Sequence, residues 1–568
     1  MDNQRLLVWA TFGMLLWFTY QTWMQDYGPA PIPAAPTAET EAVSNVPVAD
    51  QLSLPELGGV ADETAEPGSA LPGAEPAATN AQGNIITVRT DVLELQITTR
   101  GGTLVRATIL GYPIHKDQPD ELVELLSPEA GNFGLFRTGL RSATGATADQ
   151  DTPFSAARSE YTLGDADDLV VPLTWTDESG VTIEKRFHLR RGSYVIEVEQ
   201  TLNNNSDQAW RGDQYTQLLR RSKGMDRSMF DVDSYSFDGA QTYNGDKAEK
   251  HKREDLLEKG AVEFSTPDGW VAAIQHHFLS AVVPQAQAPH VYRVEVRGDT
   301  MIASVVGAKR TVEPGASESF SRQLFVGPKM QSQLEGLHER LKLTVDYGWL
   351  TILSQPMFWL LALIHDFVGN WGVSIILVTV LIKLVFYKMT ESSGRSMAKM
   401  RNLQPRVKAL QERYKDDRQQ LSQQMMDLYK REKVNPAAGC LPILIQMPFF
   451  LAFYWVLIES VEMRQAPFAL WITDLSTRDP YFILPLIMGA AMLLQQKLNP
   501  APADPVQARV MQIMPIMFTG FFAFFPSGLV LYWATNTILS IAQQWKINKV
   551  VEREEKDRKS GKKKKAKS

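Results

Sequence analysis

Five apolar segments, 371–387, 441–458, 481–495, 510–525 and 527–543, contain no Asp or Glu, and a single fixed charge, Lys383, sits inside the first of them. Each approaches the roughly 17 to 25 residues of a spanning helix. An ammonium in hydrocarbon costs at least about 2.5 to 3.5 kcal/mol, so it persists only with a water-filled cavity, a partner or a snorkelling route to the interface. Lys383 lies four residues before Tyr387, close enough to the segment end for a long stem to reach phosphate. Snorkelling and a wet cavity therefore both remain open on the residues alone.

A sixth apolar and aromatic segment, 6–24, follows Arg5. Gln21, Trp23, Met24, Gln25 and Asp26 stand where a small-residue cleavage site would be, which favours an uncleaved anchor, although Pro33-Ala34-Ala35 leaves cleavage open. Twelve Lys and Arg collect between 388 and 433, and the chain ends in a basic run that includes Lys562, Lys563, Lys564, Lys565 and Lys567. By the positive-inside rule both stretches are cytoplasmic. Threading six spans then places both termini in the cytoplasm and sends residues from about 26 to 349 across the membrane.

A mean hydropathy of -0.18 with 21% charged residues and net charge -6 resembles an ordinary soluble protein. That average combines a large exported part with an apolar core. The exported part stands without disulfides, because the one cysteine, Cys440, falls at the cytoplasmic edge of 441–458. Residues 26–83 are rich in Pro, Ala and Glu and too poor in large apolar side chains to offset chain entropy, so they form a disordered tether. From residue 84 the pattern changes to alternating runs at 85–90, 93–98, 181–189 and 194–202, separated by Gly and Asn turns. Period-two alternation predicts a mostly antiparallel β domain over 84–331, large enough to be an extended sandwich. Seven of the eight His lie between His115 and His338, without metal-ligand spacing. Adjacent His276 and His277 would face opposite ways in a strand, so a scattered surface distribution is expected.

Residues 332–370 carry an aromatic-rich band interrupted by Pro356, too broken to span and suited to the outer interface; a linker helix packed on the sandwich is the alternative. The loop 396–433 reads as two amphipathic helices. Its stripe Met397, Met400, Leu403, Val407, Leu410 is expected to meet Leu421, Met425, Met426 and Tyr429 in an antiparallel hairpin. The tail 546–568 fits a topogenic signal, a lipid contact or ribosome binding.

Asn435-Pro436-Ala437-Ala438-Gly439-Cys440-Leu441-Pro442 running into Gln446-Met447-Pro448, then Arg464-Gln465-Ala466-Pro467-Phe468, Trp471, Asp479-Pro480 and Phe525-Pro526-Ser527-Gly528-Leu529-Val530-Leu531-Tyr532-Trp533, resemble the YidC membrane protein insertases over nearly the whole chain. The resemblance implies a multi-domain bacterial inner-membrane protein. Its parts would be an N-terminal transmembrane anchor (1–25), a periplasmic β-supersandwich and a five-helix core (371–545). It also implies a hydrophilic groove open to cytoplasm and lipid, no cofactor, and no enzymatic activity. Nascent inner-membrane proteins, the Sec translocon, the ribosome and membrane lipids are the implied partners. By position, Lys383 stands where many members have an arginine. The implied substrate-contact face is Thr379, Phe450, Met488, Met517, Phe521 and Trp533, with Gln446, Gln512 and Asn536 as polar groove lining. A membrane assembly scaffold, a transporter or an anchored carbohydrate-active enzyme are the competing readings. A coupled transporter, however, would be expected to carry an intramembrane carboxylate, and the five segments have none.

Overall fold

A computed structural model describes residues 83–142, 145–221, 237–285, 288–414, 417–432, 434, 441–498 and 505–565. The segment 6–24, the tether up to residue 82, the 435–440 motif with Cys440, and Lys567 lie outside them. The alternating runs are strands Ile85–Arg89, Leu93–Thr98, Val181–Arg190 and Val195–Asn204. In the last of these Ile196, Val198 and Leu202 are fully buried while Glu197 and Glu199 are not, as the two-residue period of a strand requires.

Two sheets, of eleven and nine strands among the described residues, share one core. In the larger, Trp210–Arg221 pairs antiparallel with Gly134–Ser142 and Thr300–Val306. In the smaller, Ser317–Pro328 lies between Val195–Asn204 and Phe278–Val283. Trp210, Trp270, Phe187 and Phe325 fill the space between them.

Lys185 occupies an inward position of its strand and is fully enclosed. Its Nζ donates to Thr138 O at 2.6 Å and Gly101 O at 2.7 Å, and burial pushes its pKa down to about 7. Gly101 and Gly102 turn at φ 69° and 55°, and a Cβ on Gly102 would lie 2.8 Å from Lys185 Cδ. The Gly pair is thus both a turn and the seat of the lysine.

The histidines depart from the surface expectation. His251, His277 and His290 are buried. His276 and His277 lie in the turn between Trp270–Gln275 and Phe278–Val283, so strand alternation does not apply to them. Their rings stack at 3.7 Å and both Nε2 atoms meet Ile458 O, at 3.1 and 2.7 Å.

The rest is helical: α1 (Thr351–Val368), α2 (Trp371–Val385), α3 (Tyr387–Asn402), α4 (Gln404–Arg413), α5 (Arg418–Arg431), α6 (Leu441–Glu459), α7 (Ile483–Leu498), α8 (Pro505–Phe522) and α9 (Ser527–Lys565). Contrary to the expectation of a broken band, α1 runs through Pro356 without interruption. Pro356 lacks the N–H that would meet Ile352 O, so a single bond of the ladder is missing there. Among the described residues the helix Gly348–Val368 is long and apolar enough to cross a membrane. The pair α2 and α3, bent by 70°, passes the same measure jointly, and Ile445–Glu459 and Ile483–Leu498 are shorter apolar helices.

Of the expected loop hairpin, α4 and α5 form the two arms about 414–417, while its leading part, 397–402, belongs to α3 and packs elsewhere. Ala398 of α3 packs on Ile547 and Val551 of α9, and Arg395 bridges Glu391 and Glu554 at 3.1 and 3.0 Å. The cause is that α9 continues unbroken to Lys565, about 20 residues past the apolar segment, and presents α3 with a long helical face. Lys562, Lys563, Lys564 and Lys565 belong to this helix.

The β domain grips the loop after α6. Arg464 Nη2 donates to Pro113 O at 2.8 Å, and Lys116 Nζ donates to Gln465 O at 3.0 Å and also to Thr473 O. Beneath these contacts Gln331 N donates to Glu462 Oε1 at 3.3 Å, and Tyr347 and Ser460 share a hydrogen bond of 3.1 Å.

Candidate functional site

Local chemistry fixes where α2 starts. Gly369, at φ 66°, ends α1 in the left-handed conformation, and the Asn370 side chain accepts from Val373 N at 3.0 Å to cap α2. Asn370 Nδ2 also donates to Phe468 O at 2.8 Å, and a Cβ at Gly372 would overlap the Phe468 ring. The start of α9 is fixed as firmly. Ser527 N donates to Thr477 O and Ser527 Oγ to Asp474 O, both at 2.7 Å, while Gly528 packs under Leu475 O. Asp479, almost fully buried, accepts from Trp471 Nε1 at 3.1 Å and from the N–H groups of Tyr481 and Leu484 at 3.0 and 2.7 Å. The residues that carry the family resemblance in this loop are therefore the ones that close this end of the bundle.

With their starts fixed, α2 and α9 run side by side, Ile375 against Gly528 near the top and Lys383 against Ser540 lower down. At 1.5 Å per residue, both polar partners sit about 18 to 20 Å from the helix starts. Lys383 Nζ donates to Ser540 Oγ at 2.7 Å, and Ser540 Oγ donates to Asn536 O at 2.7 Å. Lys383 is half-buried, and among the described residues it forms no ion pair. Thr379, one turn above, is buried and donates to Ile375 O at 2.7 Å. On α9 a polar stripe continues downward: Gln543 Nε2 donates to Tyr387 O at 3.3 Å and Gln544 Nε2 to Gly394 O at 3.4 Å.

Thus Thr379, Lys383 and Asn536 come together at the α2/α9 seam, with Asn536 enclosed. Phe450 and Trp533 meet edge to face at 4.7 Å, and each also touches Phe522. Phe522 in turn contacts Phe521, joining the seam to the outer surface of α8. Phe521 and Met517 are exposed there, at 57% and 65%. Met488 is 0% exposed and so faces the bundle interior, apart from that surface. Gln446 hydrogen-bonds Tyr532, and Gln512 is exposed on α8.

Ser540 was not singled out by sequence reasoning. The signal was there: Asn536, Ser540 and Gln544 recur every four residues in an apolar helix, which puts them on one face. Among the described residues no group of three His, Cys, Asp or Glu is arranged to hold a metal. The arrangement offers a lone cation beside a polar stripe, next to an aromatic floor that leads outward to an apolar face.

A family model described as 60Kd inner membrane protein matches residues 363–555, and one described as YidC periplasmic domain matches residues 85–360. The chain is 44% identical over 562 residues to the Membrane protein insertase YidC of Nitrosococcus oceani, covering 98% of this chain and 100% of that one. It is 44% identical over 566 residues to the protein of the same name from Thioalkalivibrio sulfidiphilus, covering 97% and 99%. A solved structure, described as an active YidC insertase with the first transmembrane domain resolved, matches at 18% identity and TM-score 0.39, covering 81% of this chain and 94% of that one.

Proposed function

The chain belongs to the YidC family of membrane protein insertases, bacterial inner-membrane proteins with a periplasmic domain, and from that membership we propose how it works. It inserts nascent inner-membrane proteins, and helps them fold, through a hydrophilic groove at the α2/α9 seam, without nucleotide hydrolysis. The observation that carries this reading is Lys383, a half-buried ammonium with one neutral partner and no carboxylate against it among the described residues. A charge left uncompensated at that depth suits a transient contact with a polar or acidic flank.

In this reading α2, α6, α7, α8 and α9 span the membrane, preceded by the anchor at 6–24. The helix α1 lies across the outer end of the bundle. Its two ends are tied to the loop that follows α6, Tyr347 to Ser460 and Asn370 to Phe468. Trp349 and Trp359 are exposed, as interfacial anchors are.

Burial of the apolar stretch in lipid supplies the driving force, about 25 cal/mol per Å². The groove lowers the barrier for the flank. While the flank rests near Lys383, the apolar stretch moves over Phe450, Trp533, Phe521 and Met517 into lipid; Thr379 borders the path beside Lys383, Met488 packs inside the bundle and stays off it, and Gln446, Gln512 and Asn536 keep the path wet. Both termini are cytoplasmic. The basic residues Lys562 to Lys565 and Lys567, with the loop 396–433, meet the ribosome and lipid headgroups, and the Sec translocon is a further partner.

The test is crosslinking of a stalled nascent membrane protein to probes at Thr379, Phe450 and Trp533. Adducts at all three positions are expected from one substrate segment. Adducts confined to the outer face of α8 would overturn the groove.

A further inference from the structure

A lysine in the last turn of a helix has an easy alternative to pointing inward. The unpaired carbonyls at the helix end attract cations, and a four-carbon stem reaches the interface. Lys383 occupies such a position, two residues before α2 ends at Val385, yet its Nζ turns across to α9. One contact accounts for this. Ser540 Oγ lies 2.7 Å away, and its own proton is committed to Asn536 O at 2.7 Å. The oxygen is therefore held as an acceptor, its lone pairs directed at the ammonium. An ammonium has three donors, so two N–H groups remain for an incoming group.

We propose that Ser540 is the positioning residue of the groove: it holds the Lys383 ammonium inward at a fixed height without neutralising it. The inference rests on the reading of Lys383 as the charge that receives substrate flanks, and it adds what directs that charge. The neutrality of the partner matters. A carboxylate at 540 would bind the ammonium itself and compete with an acidic flank, whereas a hydroxyl orients the cation and leaves its field intact. The neighbouring polar side chains do not compete for the role, since Gln543 and Gln544 are spent on the carbonyls of Tyr387 and Gly394. Without Ser540 the stem is released toward the end of α2, and a flank entering the groove meets the charge only part of the time.

The experiment compares Ser540→Ala, Ser540→Thr, Lys383→Ala and the Lys383→Ala/Ser540→Ala double variant in the full chain. Insertion is measured for two matched single-span substrates, one with an acidic and one with a neutral exported flank. Ser540→Ala is a safe substitution, since Ala is the best helix former. It is expected to slow the acidic substrate by about 5-fold, the scale of one charge-assisted hydrogen bond partly replaced by water, and to leave the neutral one unchanged. Ser540→Thr keeps an oxygen that can bond back to Asn536 O and is expected to restore the acidic substrate. The double variant is expected to be no slower than Lys383→Ala alone, because the serine acts through the lysine. If Ser540→Ala slows both substrates equally, or adds its full effect to Lys383→Ala, the serine is merely structural and the inference fails. If Lys383→Ala impairs the acidic substrate while Ser540→Ala does nothing, the inference fails and the reading of Lys383 stands. If Lys383→Ala itself has no effect, that reading falls and takes the inference with it.

Discussion

Replacing Lys383 by Arg, Ala and Glu gives a graded series in charge at one point of the proposed groove. The ammonium is half-buried, with a neutral partner at 2.7 Å. A flank carboxylate in contact at about 4 Å, with an effective dielectric of about 40 between bulk water and a protein surface, gains about 2 kcal/mol. Lost from the barrier, that amounts to a roughly 30-fold slower step. Lys383→Ala is therefore expected to slow a substrate with an acidic exported flank by about that factor, with Lys383→Glu slower still because attraction becomes repulsion. Lys383→Arg keeps the charge and should insert at close to the parent rate. A neutral flank should change little across the series. The protein itself should accumulate normally as the Ala variant, since removing an ammonium from an apolar helix relieves an insertion cost of at least about 2.5 kcal/mol. The assay is protease protection of pulse-labelled substrates in cells whose only copy is the variant. If Lys383→Glu inserts the acidic substrate as well as the parent, or if Lys383→Ala slows acidic and neutral substrates alike, the electrostatic account is wrong. A neutral variant that leaves every substrate untouched would favour a static scaffold.

Deleting residues 84–327 while keeping Gln331 and all that follows should leave basic insertion largely intact, because the Tyr347 to Ser460 and Gln331 to Glu462 contacts are retained; complete loss of insertion at normal protein levels would count against a mechanism confined to the helices. Glu462 provides a pH test of the junction: burial pushes its carboxyl up to about 7, and Tyr112, Tyr347 and Arg464 are its charged or titratable neighbours. A carboxyl whose folded pKa is raised stabilises the folded junction below its unfolded value and loses that contribution as pH climbs through about 7. Thermal melts of the parent should thus fall between about pH 4.5 and 7 where those of Glu462→Gln stay flatter, and parallel profiles would show that the carboxyl does not set the junction's stability. Removing 562–568 should weaken co-sedimentation with ribosomes at low salt, with a residual contact from 396–433 and a steep loss as salt rises; unchanged co-sedimentation would assign those lysines to topology or lipid.

Much of the fold was readable along the chain because its signals are local. Period-two alternation marked strands such as Val181–Arg190 and Val195–Asn204 to within two residues, since one face of each meets a core and the other does not. Gly369-Asn370 and Asp479 are likewise short-range cap signals that set where helices begin. Charge was just as legible: a Lys in a segment free of Asp and Glu singles itself out, because hydrocarbon tolerates few of them.

What only the tertiary structure decided is which apolar surface meets which. Met488 and Met517 read alike in sequence, yet one is enclosed and the other 65% exposed, because helices packed on each other and helices facing lipid bury the same kinds of side chain. The leading part of the loop, in α3, joins α9 across more than 140 residues rather than the α4/α5 hairpin, because the length of α9 past its apolar segment offers it a closer face. His276 and His277 both turn to Ile458 through a backbone turn that alternation cannot anticipate. Lys383 illustrates both sides: its charge and its place four residues before the segment end were written in the sequence, but that its ammonium turns to α9 emerges only in the fold, which brings the Ser540 hydroxyl, 157 positions away, within 2.7 Å.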